Sequence, residues 1–403
     1  MSEMPPSHMQ GWLRQDGRKG IRNVVAVAYL VECAHHVARE ITLPMREDGV
    51  HLIGFPGCYP NDYALHMMER LCTHPNVGAV LLVSLGCESL DRHRLLRTIK
   101  ASGRPVELVV IQGTGGTRAS IAQGRAWVQQ QRWSLDAMPT VPITAADLVI
   151  GTVCGGSDGT SGLTGNPAAG IAFDRLIEAG AACIFEETGE LIGCEHIMAA
   201  RAATPALGTL IRESVDKAAR YYETMGFGSF AAGNAEGGLT TIEEKSLGAY
   251  AKSGSSPIVG LIKPGDIPTQ GGLYLLDVVP DGEVRWGFPN ISDNAEIVEL
   301  IACGAHCVLF VTGRGSVVGS AISPVVKICA NPDTYRRMAD DMDVDAGRIL
   351  DAGAELAEVG EEIANLVLSL AAGGQTRSEA LGHQEFILTY KSFEPSGPAC
   401  FPA

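Results

Sequence analysis

No run of eighteen apolar residues occurs anywhere in this 403-residue chain, so no membrane-spanning helix is expected. Positive charge is also scarce, with Lys+Arg 31 against Asp+Glu 46 and a formal net charge of -15. That balance argues against a nucleic-acid partner or an anionic membrane surface. It leaves room for a small anionic substrate, because a local nest of N–H groups outweighs distant surface charge. The eleven cysteines include no C-x-x-C pair and have no zinc-ribbon spacing, and no H-E-x-x-H is present. Cys33, Cys72, Cys183, Cys303, Cys307 and Cys329 fall in apolar or helical contexts and read as reduced core residues. Met1 to Gln10 lacks the apolar core of a secretory signal, so a cytoplasmic location is expected. GTGGT (113–117) lacks the Gly-Lys-Ser/Thr ending of a phosphate loop, and TGRGS (312–316) lacks G-x-G-x-x-G context.

What the chain has in excess is glycine, 48 of 403 residues, or roughly 12% against a usual 7%. Glycine at that density permits positive φ and close approach of backbone to ligand. Apolar runs alternate with glycine-containing loops and helical stretches, as in Asn23 to Val31, HLIGFPGC, AVLLVSLGCE and VELVVIQGTGGT. The pattern restarts at DLVIGTVCGGSDG, AACIFEETGE, GGLYLLDVV, HCVLFVTGRGS and VVKICAN. Strand, loop, helix, strand is the signature of a parallel sheet, whose ligands bind beyond the strand C-termini. The reading is α/β: two lobes with largely parallel sheets and Gly-rich loops at the strand ends. A disordered tail over 1–10, a first domain over 11–140 and a second, catalytic domain over 141–403 with a helical C-terminal part are expected. The boundary is set at PTVPIT. No fixed-period repeat is present.

Polar residues recur at these strand ends: Cys58 with Asn61 and Asp62, Cys87 with Glu88, Thr114 to Thr117, Cys154 with Ser157 and Asp158, Glu186 with Glu187. Singly, Asp62, Thr117 and Asn166 read best as helix caps. Their recurrence points to one shared face. In GCEHIMAAR, Glu195 and His196 follow an acidic strand end containing Glu187 and Glu190, a set that suits Mg²⁺, Mn²⁺ or Fe²⁺. A helix N-terminus with favourable acidic residues explains the same pattern equally well. TTIEEK supplies Glu243, Glu244 and Lys245, either a solvated helix face or a base and carboxylate anchor delivered by GNAEGGLTT.

Seven motifs in order, GWLRQDGRKGIRN, HPNVGAVLLVSLGCE, QGTGGT, CGGSDGTSGLTGNPAAG, GGLTTIEEKSLGA, FVTGRGS and DDMDVDAGRIL, resemble those of the altronate/galactarate dehydratase family. The resemblance covers roughly Gly11 to Ala371 and implies a metal-dependent lyase acting on a hydroxy acid, with Fe²⁺ as the first choice and Mn²⁺ or Mg²⁺ as alternatives. The family's sugar-acid enzymes begin with a small SAF-type domain that carries active-site residues. This chain starts at the larger catalytic region, which implies a separately encoded SAF-type small subunit, alongside a homo-oligomer of the large one. The family's NPSPGNKAGGLTT-like segment reads GSFAAGNAEGGLTT here, with Ala235 at the usual lysine, and the loop before Cys58 reads GFPGC. GLIKPGD, GGLYLLDVVPDG and GFPNISDNAEIVELIACG look more like the branch whose large subunits act on (2R)-sulfolactate.

The expected chemistry is therefore β-elimination: a base removes the proton α to a carboxylate, and sulfite leaves the β carbon. For a sugar acid the leaving group would be hydroxide. Ser157, Ser161, Thr164, Asn166, Asn234 and Arg314 are the expected substrate contacts. Asp158, Glu244 and Lys245 are the catalytic candidates. Glu88, Glu187, Glu195 and His196 are the candidate metal ligands, joined by Cys58 and Cys154 if iron is used. The rival readings are a sugar-acid dehydratase, a non-catalytic binding subunit and an iron–sulfur dehydratase using three of the cysteines.

Overall fold

A computed structural model describes residues 9–59, 61–186, 188–226, 230–282 and 292–388. In chain order the strands are β1 (Gln10–Leu13), β2 (Lys19–Gly20), β3 (Val24–Tyr29), β4 (Val50–Gly54), β5 (Val77–Ser84), β6 (Val106–Val110), β7 (Val141–Pro142), β8 (Val149–Cys154), β9 (Ala182–Glu186), β10 (Ile258–Ile262), β11 (Gly272–Leu276), β12 (Cys307–Thr312), β13 (Val325–Cys329) and β14 (Val344–Asp345). They form two parallel sheets, of order β4-β3-β5-β6 and β10-β11-β9-β8-β12-β13-β14. A small antiparallel sheet, β2-β1-β7, joins them. Parallel strands covered on both faces need unbroken apolar runs. VGAVLLVS of β5 and CVLFVT of β12 supply them, with every residue buried.

The strand order fixes where a ligand can enter. From β8 the chain moves outward to β9 on one side, while β12 lies on the other side and leads on to β13. The loops after β8 and β12 therefore part from each other, and a crevice opens between them at the strand C-termini. In the smaller sheet the corresponding reversal lies between β3 and β5.

The lobes share a core in which Ile53 and Leu82 of one sheet join Val153, Ile184 and Phe310 of the other. Two buried polar residues lock the seam. Asn76 accepts from the backbone N–H groups of Ile21 (2.9 Å) and Arg22 (3.2 Å) and donates to the carbonyls of His306 and Ile322 (each 3.3 Å). His306 accepts at Nδ1 from the Val149 N–H (2.9 Å), so its proton sits on Nε2 and is donated to the Lys19 carbonyl (2.8 Å).

Several sequence expectations change in detail. Cys33 is exposed rather than a core residue. SSPIVGLIK contains a strand, β10, on the open edge of the larger sheet. The stretch from Asp333 to Ala371, expected to be mostly helical, holds the helices Pro332–Arg337, Arg348–Asp351 and Leu356–Ala371 with β14 between the first two. Among the described residues, no helix is long and apolar enough to cross a membrane.

Burial pulls the His306 pKa down to about 4, although its bond to the Lys19 carbonyl works the other way. Below the ordinary value of 6.5 the unfolded chain binds a proton that the folded imidazole refuses. Stability from this residue is thus complete above about pH 6.5 and is lost as pH falls towards 4. The loss integrates to about 3 kcal/mol. Urea titrations between pH 7 and pH 4 should show that decline, and His306→Gln should remove its share of the slope.

Candidate active site

The loop CGGSDGTSGLTG, 154–165, leaves β8 at the crevice. None of its five glycines has a left-handed φ, so tight turning is not their purpose. A Cβ on Gly155 would stand 2.4 Å from the Phe310 ring, one on Gly162 would stand 2.8 Å from Gly248 Cα, and one on Gly165 would stand 2.7 Å from a Val311 methyl. The glycines let the loop lie flat against β12 and against the segment that carries Lys245. Backbone bonds fix that position: the Gly155 N–H donates to the Val311 carbonyl (2.8 Å), and the N–H groups of Gly313 and Arg314 donate to the Gly156 carbonyl (3.0 and 3.1 Å).

Most of the expected substrate contacts hold the loop in this shape. Asp158 Oδ1 accepts from the Thr160 N–H (2.9 Å) and hydroxyl (2.6 Å), while its Oδ2 accepts from Asn331 Nδ2 (2.8 Å). Ser161 Oγ accepts from the Asp158 N–H (3.1 Å). Thr164 donates to the Ala330 carbonyl (2.8 Å), and Asn234 donates to the Ser157 carbonyl (3.2 Å). Asn166 Nδ2 donates to the Gly248 carbonyl (3.0 Å). Arg314, 39% exposed, pairs with Glu236 (2.9 Å) at the rim. Caps differ from the sequence reading: Asn61 rather than Asp62 caps its helix, Gly116 stands at the N-cap position before Thr117, and Asn166 lies inside the helix Gly165–Glu178.

Beneath the loop lies a buried charge network. Glu190, from the turn after β9, receives the Cys154 thiol (2.8 Å) and the Lys252 ammonium (3.2 Å) on Oε2, and the Lys245 ammonium on Oε1. Ser157 Oγ lies 3.4 Å from the same sulfur. Burial alone would pull the Lys245 ammonium down, but Glu190 and then Cys154 more than reverse this, so it is held protonated. Burial first, and the Glu190 charge second, push the Cys154 thiol up to about 12. Two ammonium groups thus meet on one buried carboxylate at the strand C-termini. Polar atoms nearby lack a hydrogen-bond partner among the described residues: Thr188 Oγ1, Ser246 Oγ and Asn166 Oδ1. Buried polar atoms are rarely left unsatisfied, and a bound polar molecule is one way to satisfy them.

The other expected residues lie elsewhere. Glu244 is exposed and accepts from the Thr240 N–H (2.7 Å) and hydroxyl (2.5 Å), bonds that lower its pKa. Glu195 and His196 open the helix Glu195–Ala200, half-buried and exposed respectively. Glu88 closes the turn after β5 in the smaller lobe, bonded to the Ser84 hydroxyl and the Gly86 N–H. Cys58 is exposed in the loop after β4. Glu187 lies outside the described residues.

No group of three or more His, Cys, Asp or Glu side chains is placed to hold a metal among the described residues. Burial and the Glu190 charge keep Cys154 as a thiol that donates to Glu190. Among the described residues, Glu88, Cys58, Cys154, Glu195 and His196 are thus not gathered into one cluster. Lys252 is the functional residue that sequence reasoning misses. It stands seven positions after Lys245, on the same side of a continuing helix, and that spacing is the signal that could have found it. In the native protein, iodoacetamide at pH 8 should label exposed Cys58 and Cys87 quickly and leave Cys154 unmodified by peptide mass spectrometry. Labelling of Cys154 at the rate of Cys58 would contradict its burial against Glu190.

Comparison with known proteins places these features in context. The family model described as D-galactarate/Altronate dehydratase, C-terminal, matches residues 145–393. The one described as D-galactarate dehydratase/Altronate hydrolase, second domain, matches residues 11–134. The (2R)-sulfolactate sulfo-lyase subunit beta of Chromohalobacter salexigens is 34% identical over 393 residues, covering 94% of this chain and 96% of that protein. The galactarate dehydratase (L-threo-forming) of Escherichia coli is 31% identical over 77% of this chain and 59% of its own length. The altronate dehydratase of Escherichia coli is 28% identical over 94% of this chain and 77% of its own length. This chain belongs to the D-galactarate/altronate dehydratase family, a family of lyases.

Proposed function

We propose that the chain is the large subunit of a two-subunit lyase that converts (2R)-3-sulfolactate to pyruvate and sulfite in the cytoplasm. The observation that carries this reading is the 34% identity, over nearly the whole of both chains, to a relative whose name gives that substrate and a subunit role. The pocket chemistry supports it. The proton α to a carboxylate is weakly acidic, so its removal needs positive charge placed where the aci-carboxylate forms. Lys245 and Lys252, gathered on Glu190 beside the ends of β8 and β9, are the cations placed to supply it. The helix Gly165–Glu178 directs its N-terminus at the same crevice and adds partial positive charge.

In the elimination, the pair of electrons from the α C–H bond becomes the Cα–Cβ double bond. The Cβ–S bond breaks, and sulfite leaves with its electron pair. The resulting enol takes a proton at Cβ and becomes pyruvate. Sulfite departs as a stable anion, so the step needs less acid assistance than loss of hydroxide from a sugar acid. The divalent ion and the SAF-type small subunit expected from the family resemblance are part of this proposal for the assembled enzyme.

The test is turnover by the chain purified with its small partner subunit, supplied in parallel with (2R)-3-sulfolactate, galactarate and altronate. Each reaction is run after chelator dialysis, with and without added Fe²⁺, Mn²⁺ or Mg²⁺. Equimolar sulfite and pyruvate from sulfolactate are expected. A 2-keto-3-deoxy acid from either sugar acid would reassign the substrate, and no turnover of any of the three would favour a binding subunit. Metal dependence is read from restoration after chelation.

A further inference from the structure

One carboxylate at the crevice takes no part in stapling the loops together. Asp293 opens the helix Asp293–Ala302, behind the cap residue Ser292, whose hydroxyl accepts from the Ala295 N–H (3.4 Å). Its Oδ2 lies 3.6 Å from the point where a Cβ on Gly155 would stand, so the carboxyl hangs over the first turn of the loop after β8. The charged groups that act on it across the crevice are Glu190, Lys245 and Lys252. Asp293 is exposed, whereas Glu190 is buried beneath it.

Four neighbouring carboxylates are committed to other partners. Glu190 holds two lysines and a thiol. Asp158 is saturated by Thr160 and Asn331, Glu244 by Thr240, and Glu236 is paired with Arg314. Among the described residues, no side-chain hydrogen bond or ion pair holds Asp293 beyond its own backbone N–H. A general base needs a free lone pair facing the reacting carbon, and among the described residues Asp293 offers one at this crevice.

We propose that Asp293 is the general base of the elimination, taking the Cα proton of a hydroxy acid whose carboxylate is held on the Lys245 and Lys252 side of the crevice. This assignment rests on the proposed lyase activity. The carboxylate of Asp293 accepts the proton and becomes a carboxylic acid. The C–H pair forms the double bond, the leaving group departs with its own pair, and Asp293 is restored when its proton passes to Cβ of the enol or to solvent. Desolvation by the crevice walls first, and the Glu190 charge second, raise the Asp293 pKa above the ordinary carboxylate value.

The test uses the enzyme purified from its own source, with its partner subunit attached, as the unaltered protein and as Asp293→Asn and Asp293→Ser. Both replacements sit at an exposed first-turn helix position that Asn and Ser fit, and thermal midpoints matching the unaltered protein are expected. Three readouts are taken: kcat and KM on sulfolactate and the two sugar acids, rescue of the Ser variant by formate, and deuterium uptake at Cα of bound lactate in D₂O. Lactate has no β leaving group, so the last readout reports proton abstraction alone. Both variants are expected to lose about 10²- to 10⁴-fold in kcat with KM nearly unchanged, to stop exchanging lactate, and to regain rate with formate. Variants that keep kcat within about tenfold, or that lose it with a parallel rise in KM and no formate rescue, would overturn the assignment. If the unaltered enzyme neither turns over any of the three acids nor exchanges lactate, the lyase reading itself fails, and the role of Asp293 falls with it.

Discussion

Everything around the crevice depends on one buried carboxylate held between two lysines. Glu190 is 5% exposed, and a carboxylate so placed survives only if its charge is matched and its lone pairs are filled. Lys245, Lys252 and the Cys154 thiol do both. These partners come from three separate stretches of chain: the end of β8, the turn after β9, and the segment from Ile242 to Ser253. Removing one member strands the others as uncompensated buried charge, so the network ties those stretches together more strictly than apolar packing would. The glycines of the β8 loop serve the same arrangement, since Gly162 lies against Gly248 in the middle of the lysine-bearing segment.

The same constraint organises the chemistry. Lys245 and Lys252 bring two ammonium groups to the strand ends where a substrate carboxylate would be received. Asp158, which stands out in the sequence as a catalytic candidate, is used up in fixing the loop, as is Glu244 in capping its helix. The residues divide into those that hold the crevice open and those that face it. Glu190 and Asp158 hold together with Lys245 and Lys252, whereas Asp293 is exposed at the crevice.

The parallel sheets were legible because buried parallel strands leave uninterrupted apolar runs, as in VLLV of β5 and CVLFVT of β12. The importance of CGGSDGTSGLTGNPAAG was legible too, because its glycine density exceeds what a turn requires. What the glycines do was not. None turns in the left-handed region, and their role is close approach to Phe310, Gly248 and Val311, partners more than 80 residues away. Strand order is likewise absent from local pattern, so the crevice between β8 and β12 had to be read from the fold. Lys252 carries a periodic signal, its heptad spacing from Lys245. Asp293 carries none: an aspartate opening a helix behind a serine reads as an ordinary helix start, and only its position over Gly155 separates it from one. Cys33 has a hydrophobic neighbourhood in sequence but falls on the outer side of its helix, between buried Val31 and Ala34.

The most direct measurement of the central claim is a crystal structure of the enzyme with oxalate, a stable planar mimic of the aci-carboxylate. An oxalate carboxylate is expected within hydrogen-bond reach of Lys245 or Lys252, in the crevice between the loops after β8 and β12, with Asp293 facing its central carbon–carbon bond. Oxalate bound at the smaller sheet, or absent from the crevice at saturating concentration, would contradict a carboxylate site beside Lys245 and Lys252.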